Sequence, residues 1–75
     1  MAVSRVRERL WSLERDAVVV HANLELTRSG RCTLQLLTGD RVFAKSHHNE
    51  VLPALTLSNQ ICDELQREGW RNESN

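Results

Sequence analysis

His47-His48-Asn49-Glu50 is the stretch of this 75-residue chain whose residue types come nearest to chemistry. With His21, Cys32 or Cys62, the two histidines offer donors to a metal ion. Metal ligation needs donors at a spacing that a turn or helix can close around the ion, such as Cys-x-x-Cys or His-x-x-x-His. Neighbouring histidines lack that spacing, so the simpler reading is a solvated turn. Histidine also changes charge near neutral pH, which makes a pH-sensitive contact a second use of the pair. A Cys-His nucleophile would need a thiol beside a base and an oxyanion donor. Both cysteines instead fall on apolar stripes, which reads as two inert buried thiols. Asp63, Glu64 and Glu68 lie on the outer side of a helical pattern, where a solvated face outweighs an acid–base pair. The three glycines are all used by turns or a helix end, so none remains for a phosphate loop. The sequence calls for no catalytic residue, no metal ligand and no cofactor.

Basic residues form the next constellation. Arg5, Arg7 and Arg9 precede Trp11, and Arg28 and Arg31 flank a glycine turn. Phosphate contacts need such cations. The charges balance, however, with ten basic against ten acidic residues. No strongly basic footprint of a nucleic-acid binder results. Residues 1–31 carry six Arg against four acids, and residues 32–75 carry four basic residues against six acids. That mild asymmetry suits steering toward a charged protein surface or a second copy of the chain.

The elements that must position these residues fit a single domain spanning residues 1–75. A chain this short buries only about 60% of its unfolded surface. Residues 3–15 read as a helix, because Val3, Val6, Leu10 and Leu13 fall on one stripe at helical spacing. Residues 17–27 alternate, with Val18, Val20, Ala22, Leu24 and Leu26 on one face. Strands at 32–37 and 41–46 follow. Opposed residues must share a face, so a three-residue loop, Arg28-Ser29-Gly30, sets Leu26 against Cys32 and Leu24 against Leu34. Gly39-Asp40 as a two-residue turn sets Thr38 against Arg41 and Leu36 against Phe43, burying the Phe. A three-residue loop would bury Val42 and Ala44 instead. Residues 50–68 form the last helix, with Val51, Ala54, Leu55, Ser58, Ile61, Cys62 and Leu65 within an arc of about 120°. Asn49 is the expected N-cap and Pro53 falls in the first turn, with a break near Pro53 and a restart capped by Thr56 or Ser58 as the alternative. Gly69 fits C′ of a Schellman ending, with Trp70 at C″. Residues 71–75 are expected to fray. The fold class is therefore α+β, a helix, a three-stranded antiparallel meander and a helix (αβββα).

In that arrangement the first and third strands are sheet edges, the first long and Val-rich. The expected function is a small non-enzymatic protein-binding regulator or inhibitor acting stoichiometrically on a larger complex. The expected contact residues are Trp11, Val19, Arg28, Arg31 and Leu37. The partner is another protein or a second copy, as a homodimer. In size and lack of chemistry the chain is similar to the small inhibitors and adaptors made by phages and mobile elements. The rival reading is a nucleic-acid accessory protein using Arg5, Arg7 and Arg9 on the N-terminal helix and the 28–31 loop. The N-terminus is charged and lacks the apolar run of a secretory leader, and no run approaches the ~20 apolar residues of a membrane span. A cytoplasmic location is the matching expectation.

Overall fold

Alternating strands need partners on both sides and cover on one face, and the chain supplies four strands in succession before its helix. The computed structural model describes residues 6–72. Strands β1 (Val6–Arg15), β2 (Val18–Leu26), β3 (Cys32–Thr38) and β4 (Arg41–His48) form a continuous antiparallel meander. Helix α1 (Val51–Arg67) follows, and β5 (Arg71–Asn72) ends the described chain. The sheet order is β4-β3-β2-β1-β5. The expected αβββα fold is thus corrected to a five-stranded sheet with one C-terminal helix.

The N-terminal helix expected over residues 3–15 is absent from the described part, where residues 6–15 form β1. The cause is a β-bulge. Pairing runs from Val6↔Leu26 to Arg9↔Asn23, then shifts, and resumes at Trp11↔Ala22 and Leu13↔Val20. Leu10 is the extra residue, and after it the alternation changes phase. A bulged strand therefore places residues 6, 10 and 13 on one face, the same spacing that a helical stripe shows. Val3, Arg5 and Ser4, the residue expected to cap that helix, lie outside the described residues.

The turn after β1 also hides the strand. Asp16 and Ala17 connect Arg15↔Val18 with φ of 53° and 70°. Two successive positive φ values make the turn that suits a hairpin's twist, a place usually filled by Asn-Gly or Asp-Gly. Ala at the second position gives no such signal and costs about 1–2 kcal/mol in the left-handed region.

The β2–β3 hairpin has the register read from its faces. Leu26 pairs Cys32, Leu24 pairs Leu34 and Ala22 pairs Leu36. The Thr27 N–H donates to the Arg31 carbonyl at 3.0 Å, and Gly30 takes φ of 87°. In the β3–β4 hairpin the Gly39-Asp40 turn does set Thr38 against Arg41, but Leu36 faces Ala44 and not Phe43. A second bulge intervenes, and Phe43 is 54% exposed. Burial of the Phe is the expectation it overturns.

Helix α1 begins at Val51 with Glu50 in the N-cap position, without a side-chain cap. Asn49 does not serve as the cap. The Glu50 carbonyl instead accepts a hydrogen bond from the Cys32 thiol at 3.2 Å. Pro53 does not break the helix, because its missing N–H belongs to the first turn, which has no acceptor within the helix. The far end is a Schellman motif. The Trp70 N–H donates to the Leu65 carbonyl at 3.0 Å and the Gly69 N–H to Gln66 at 3.2 Å, with Gly69 at φ of 102°. That turn redirects the chain, so Arg71 pairs Glu14 and Asn72 pairs Leu13 instead of fraying.

The core lies between α1 and the sheet: Leu13, Val20, Ala22, Leu24, Cys32, Leu34 and Ala54. Replacing Ala17 by Gly removes the left-handed penalty and returns part of it as unfolded-chain entropy, for a net gain of about 0.5–1 kcal/mol. Thermal unfolding of Ala17→Gly should rise by about 2–8 °C; an unchanged or lower midpoint would show that the turn is not strained.

Candidate binding surfaces

Alternation within each strand divides the side chains into a face under α1 and a face turned away from it. Trp11 belongs to the helix side. Its indole Nε1 donates to Ser58 Oγ at 2.8 Å, and Ser58 is 1% exposed. Val19 and Leu37 are half-buried and lie on the opposite face, as diagonal neighbours near the β1–β2 and β3–β4 turns. Arg28 and Arg31 are exposed at the β2–β3 loop, at the other end of the sheet. Seven strand steps at ~3.3 Å each carry β2 about 23 Å from Val19 to Leu26, and the loop with Arg28 lies beyond that end. Of the five expected contact residues, the structure brings together Val19 with Leu37, and Arg28 with Arg31. The two groups and Trp11 do not share one surface.

The basic set is likewise redistributed. Arg5 lies outside the described residues. Arg7 and Arg9 project from β1 on the face away from the helix, since they alternate with core residues. The Arg7 guanidinium donates to Glu25 Oε2 from Nη2 at 2.7 Å and from Nε at 3.2 Å. Arg9 Nε donates to Asn23 Oδ1 at 3.3 Å. These contacts engage both arginines within the fold. A row Arg9–Asn23–Gln35–Lys45 crosses the four long strands, and its two amide residues are buried although no helix covers them. This polar face is what lets an antiparallel sheet meet water on one side.

His47 and His48 are consecutive in β4 and so point to opposite faces. His47 Nδ1 lies 3.1 Å from Thr33 Oγ1, and His48 Nε2 lies 2.8 Å from Ser46 Oγ. His21 Nδ1 lies 2.8 Å from Ser12 Oγ on the polar face. Among the described residues no group of three His, Cys, Asp or Glu is placed to hold a metal ion. Cys32 is buried and Cys62 half-buried, and both thiols are free. Burial pushes both thiol pKa values up, and the Asp63 carboxylate adds to the effect at Cys62.

The strand taken for an exposed edge, β2, is central, because β1 covers it. The actual edges are β4 and the part of β1 beyond the short β5. Both carry a bulge and charges, Arg41 and Lys45 on β4, Arg7, Glu8 and Arg9 on β1. Bulges and charged side chains are what keep sheet edges from pairing with other chains.

An apolar region stays open between the helix and the β3–β4 side of the sheet. Helix α1 leaves the end of β4 and returns to β5 beside β1, so it runs from one side of the sheet to the other. Five strands span about 19 Å at ~4.8 Å spacing, and a helix with side chains covers about 10–12 Å. The β3–β4 part is left with a groove of about 120 Å³ between Leu34, Leu36, Ala44, Leu57 and Ile61. It continues along the helix past Leu65, bounded by Gln60 and Glu64. Leu57 lies outside the apolar arc of α1, an apolar residue that the core-facing stripe leaves unaccounted for.

Comparison with protein-family models, curated proteins and solved structures found no significant match.

The Trp11–Ser58 bond links the first strand to the helix. In a double-mutant cycle, Trp11→Phe and Ser58→Ala should couple by about 0.5–1.5 kcal/mol in urea unfolding; simple additivity would mean that the bond contributes nothing. The thiols set an alkaline limit. Their raised pKa means stability that is complete below the unfolded thiol value, ~8.5, and is lost as pH climbs through the folded value. With no Tyr and one Lys in the chain, few other groups titrate there. Urea midpoints should fall as pH rises above about 8.5 and fall less in Cys62→Ala; a flat profile would contradict this.

Proposed function

We propose that the chain is a non-enzymatic protein-binding module whose action is association with another polypeptide. The role of a stoichiometric regulator or inhibitor, read from the sequence, is one function of this class. The observation that supports the reading is the open groove of Leu34, Leu36, Ala44, Leu57 and Ile61, apolar side chains left uncovered by the single described helix. Such a groove beside a helix takes the apolar face of another amphipathic helix, which inserts side chains at i, i+3 and i+4 spacing. Glu64 lies along its helix side.

The nucleic-acid reading has weaker support. Its arginines alternate along a strand instead of lining a helix, and Arg7 is neutralised by Glu25.

A helical peptide library panned on the folded chain tests the reading. Recovered peptides should bind Leu57→Glu at least tenfold more weakly, with the far-UV spectrum unchanged. Arg28→Glu, at the distant loop, should leave binding unaltered. Recovery of no peptide that distinguishes Leu57→Glu from the wild type would sink the proposal.

A further inference from the structure

The groove beside α1 has one charged wall. Its strand wall is Leu34, Leu36, Ala44 and Ser46, with Lys45 turned to the opposite face of the sheet. Its helix wall is Leu57 and Ile61, continued by Glu64 and Leu65. At 3.6 residues per turn, Glu64 and Glu68 fall within about 20° of Leu57, so both carboxylates follow it along the groove side of α1. Residues 63–68 hold three acids, Asp63, Glu64 and Glu68, against one cation, Arg67. Arg67 lies about 80° from Leu57, on the flank that also carries Asp63. Among the described residues neither Glu64 nor Glu68 forms an ion pair, with Arg67 or with Arg41 of β4.

These acids stand where a helix favours cations. The last turns of α1 present its negative end, and a carboxylate there opposes the dipole. Arg67 is the one basic residue of the last turn. A local preference broken beside an uncovered apolar surface marks a place where a partner supplies the compensation.

From this we infer that the occupant of the groove is a basic amphipathic helix, with its apolar side chains on Leu57 and Ile61 and its Lys or Arg side chains against Glu64 and Glu68. The inference rests on the protein-binding reading above and names the chemistry of the partner. An acidic helix with the same apolar line would meet like charge as the groove closes. A neutral one would leave both carboxylates without a partner. The net charge of the chain is zero, so the attraction is local. It acts within about a Debye length, ~8 Å at physiological salt. Leu57 to Leu65 spans about 12 Å at 1.5 Å per residue, so the occupant needs about two to three turns.

Three helical peptides test the inference. They share one line of leucines at i, i+4 and i+7 and differ only in the flanking residues, Lys, Gln or Glu. Fluorescence anisotropy reads the binding of each to the full chain at about 20 and 300 mM salt, on either side of physiological screening. At low salt the Lys-flanked peptide should bind at least fivefold more tightly than the Glu-flanked one, with the Gln-flanked one between them. The gap should narrow at high salt. Glu64→Lys should remove most of the preference, and Glu64→Lys with Glu68→Lys should invert it. Both changes place cations where the helix favours them, so the far-UV spectrum should stay unchanged. Glu8→Lys, an equal charge change on β1, should leave the preference unaltered. Equal binding of the three peptides overturns the inference, as does an order that ignores Glu64 and Glu68. Equal binding that Leu57→Glu abolishes does so while the protein-binding reading stands. Failure of all three peptides, with no Leu57-dependent peptide from the library, removes both.

Discussion

One hydrogen bond holds the first strand to the helix, from Trp11 Nε1 to Ser58 Oγ at 2.8 Å. Ser58 is a hydroxyl with almost no exposure on the inner side of α1, and an unpartnered hydroxyl there would cost about 1–3 kcal/mol. The partner comes from a residue that only reaches the helix face because of the bulge at Leu10. Without that extra residue, Trp11 would share the phase of Arg7 and Arg9 and point to water. The bulge, the indole and the buried hydroxyl form a single device. It fixes the side of the sheet on which α1 lies and brings β1 under it.

The path of the helix then follows from its two ends. It starts after β4, where the Cys32 thiol reaches the Glu50 carbonyl, and it ends in a Schellman turn that sends β5 back along β1. A single helix on that path cannot cover a sheet about 19 Å wide. The part it leaves open is set by geometry: the inner face of β3 and β4 beside Leu57 and Ile61. The opposite face is polar throughout its middle, where Asn23 and Gln35 lie between Arg9 and Lys45, so it meets water without a second layer. The edges are closed to strand addition by bulges and charge. The groove is one surface with apolar side chains to bury, and no helix in the described chain is long and apolar enough to cross a membrane.

Much of the central sheet was legible in the residues. Keeping Leu24, Leu26, Cys32 and Leu34 on one face fixed the β2–β3 register, and Gly30 and Gly69 marked their turns through a conformation that other residues reach only under strain. Strand β1 was not legible, because a bulge converts alternation into the spacing of a helix and because Asp16-Ala17 makes a glycine-type turn without glycine. Phe43 misled for a related reason. Its size argued for burial, but the bulge gives the inner position to Ala44, which lines the groove with Leu57 and Ile61. The expected contact residues were scattered for the same cause. Once residues 6–15 became a strand, Trp11 moved to the helix side and Val19 to a central strand. The groove itself arises from the relation between a helix path and a sheet width, and neither is written in any local pattern.

The central claim is that Trp11 is bonded into the junction of β1 and α1. Hydrogen exchange of the two indole N–H groups, followed by NMR at neutral pH, tests this most directly. The Trp11 indole should exchange far more slowly than that of Trp70, and its protection should fall to the level of Trp70 in Ser58→Ala. Equally fast exchange of the two indoles in the wild type would contradict the account, since β1 would then not be pinned beneath the helix.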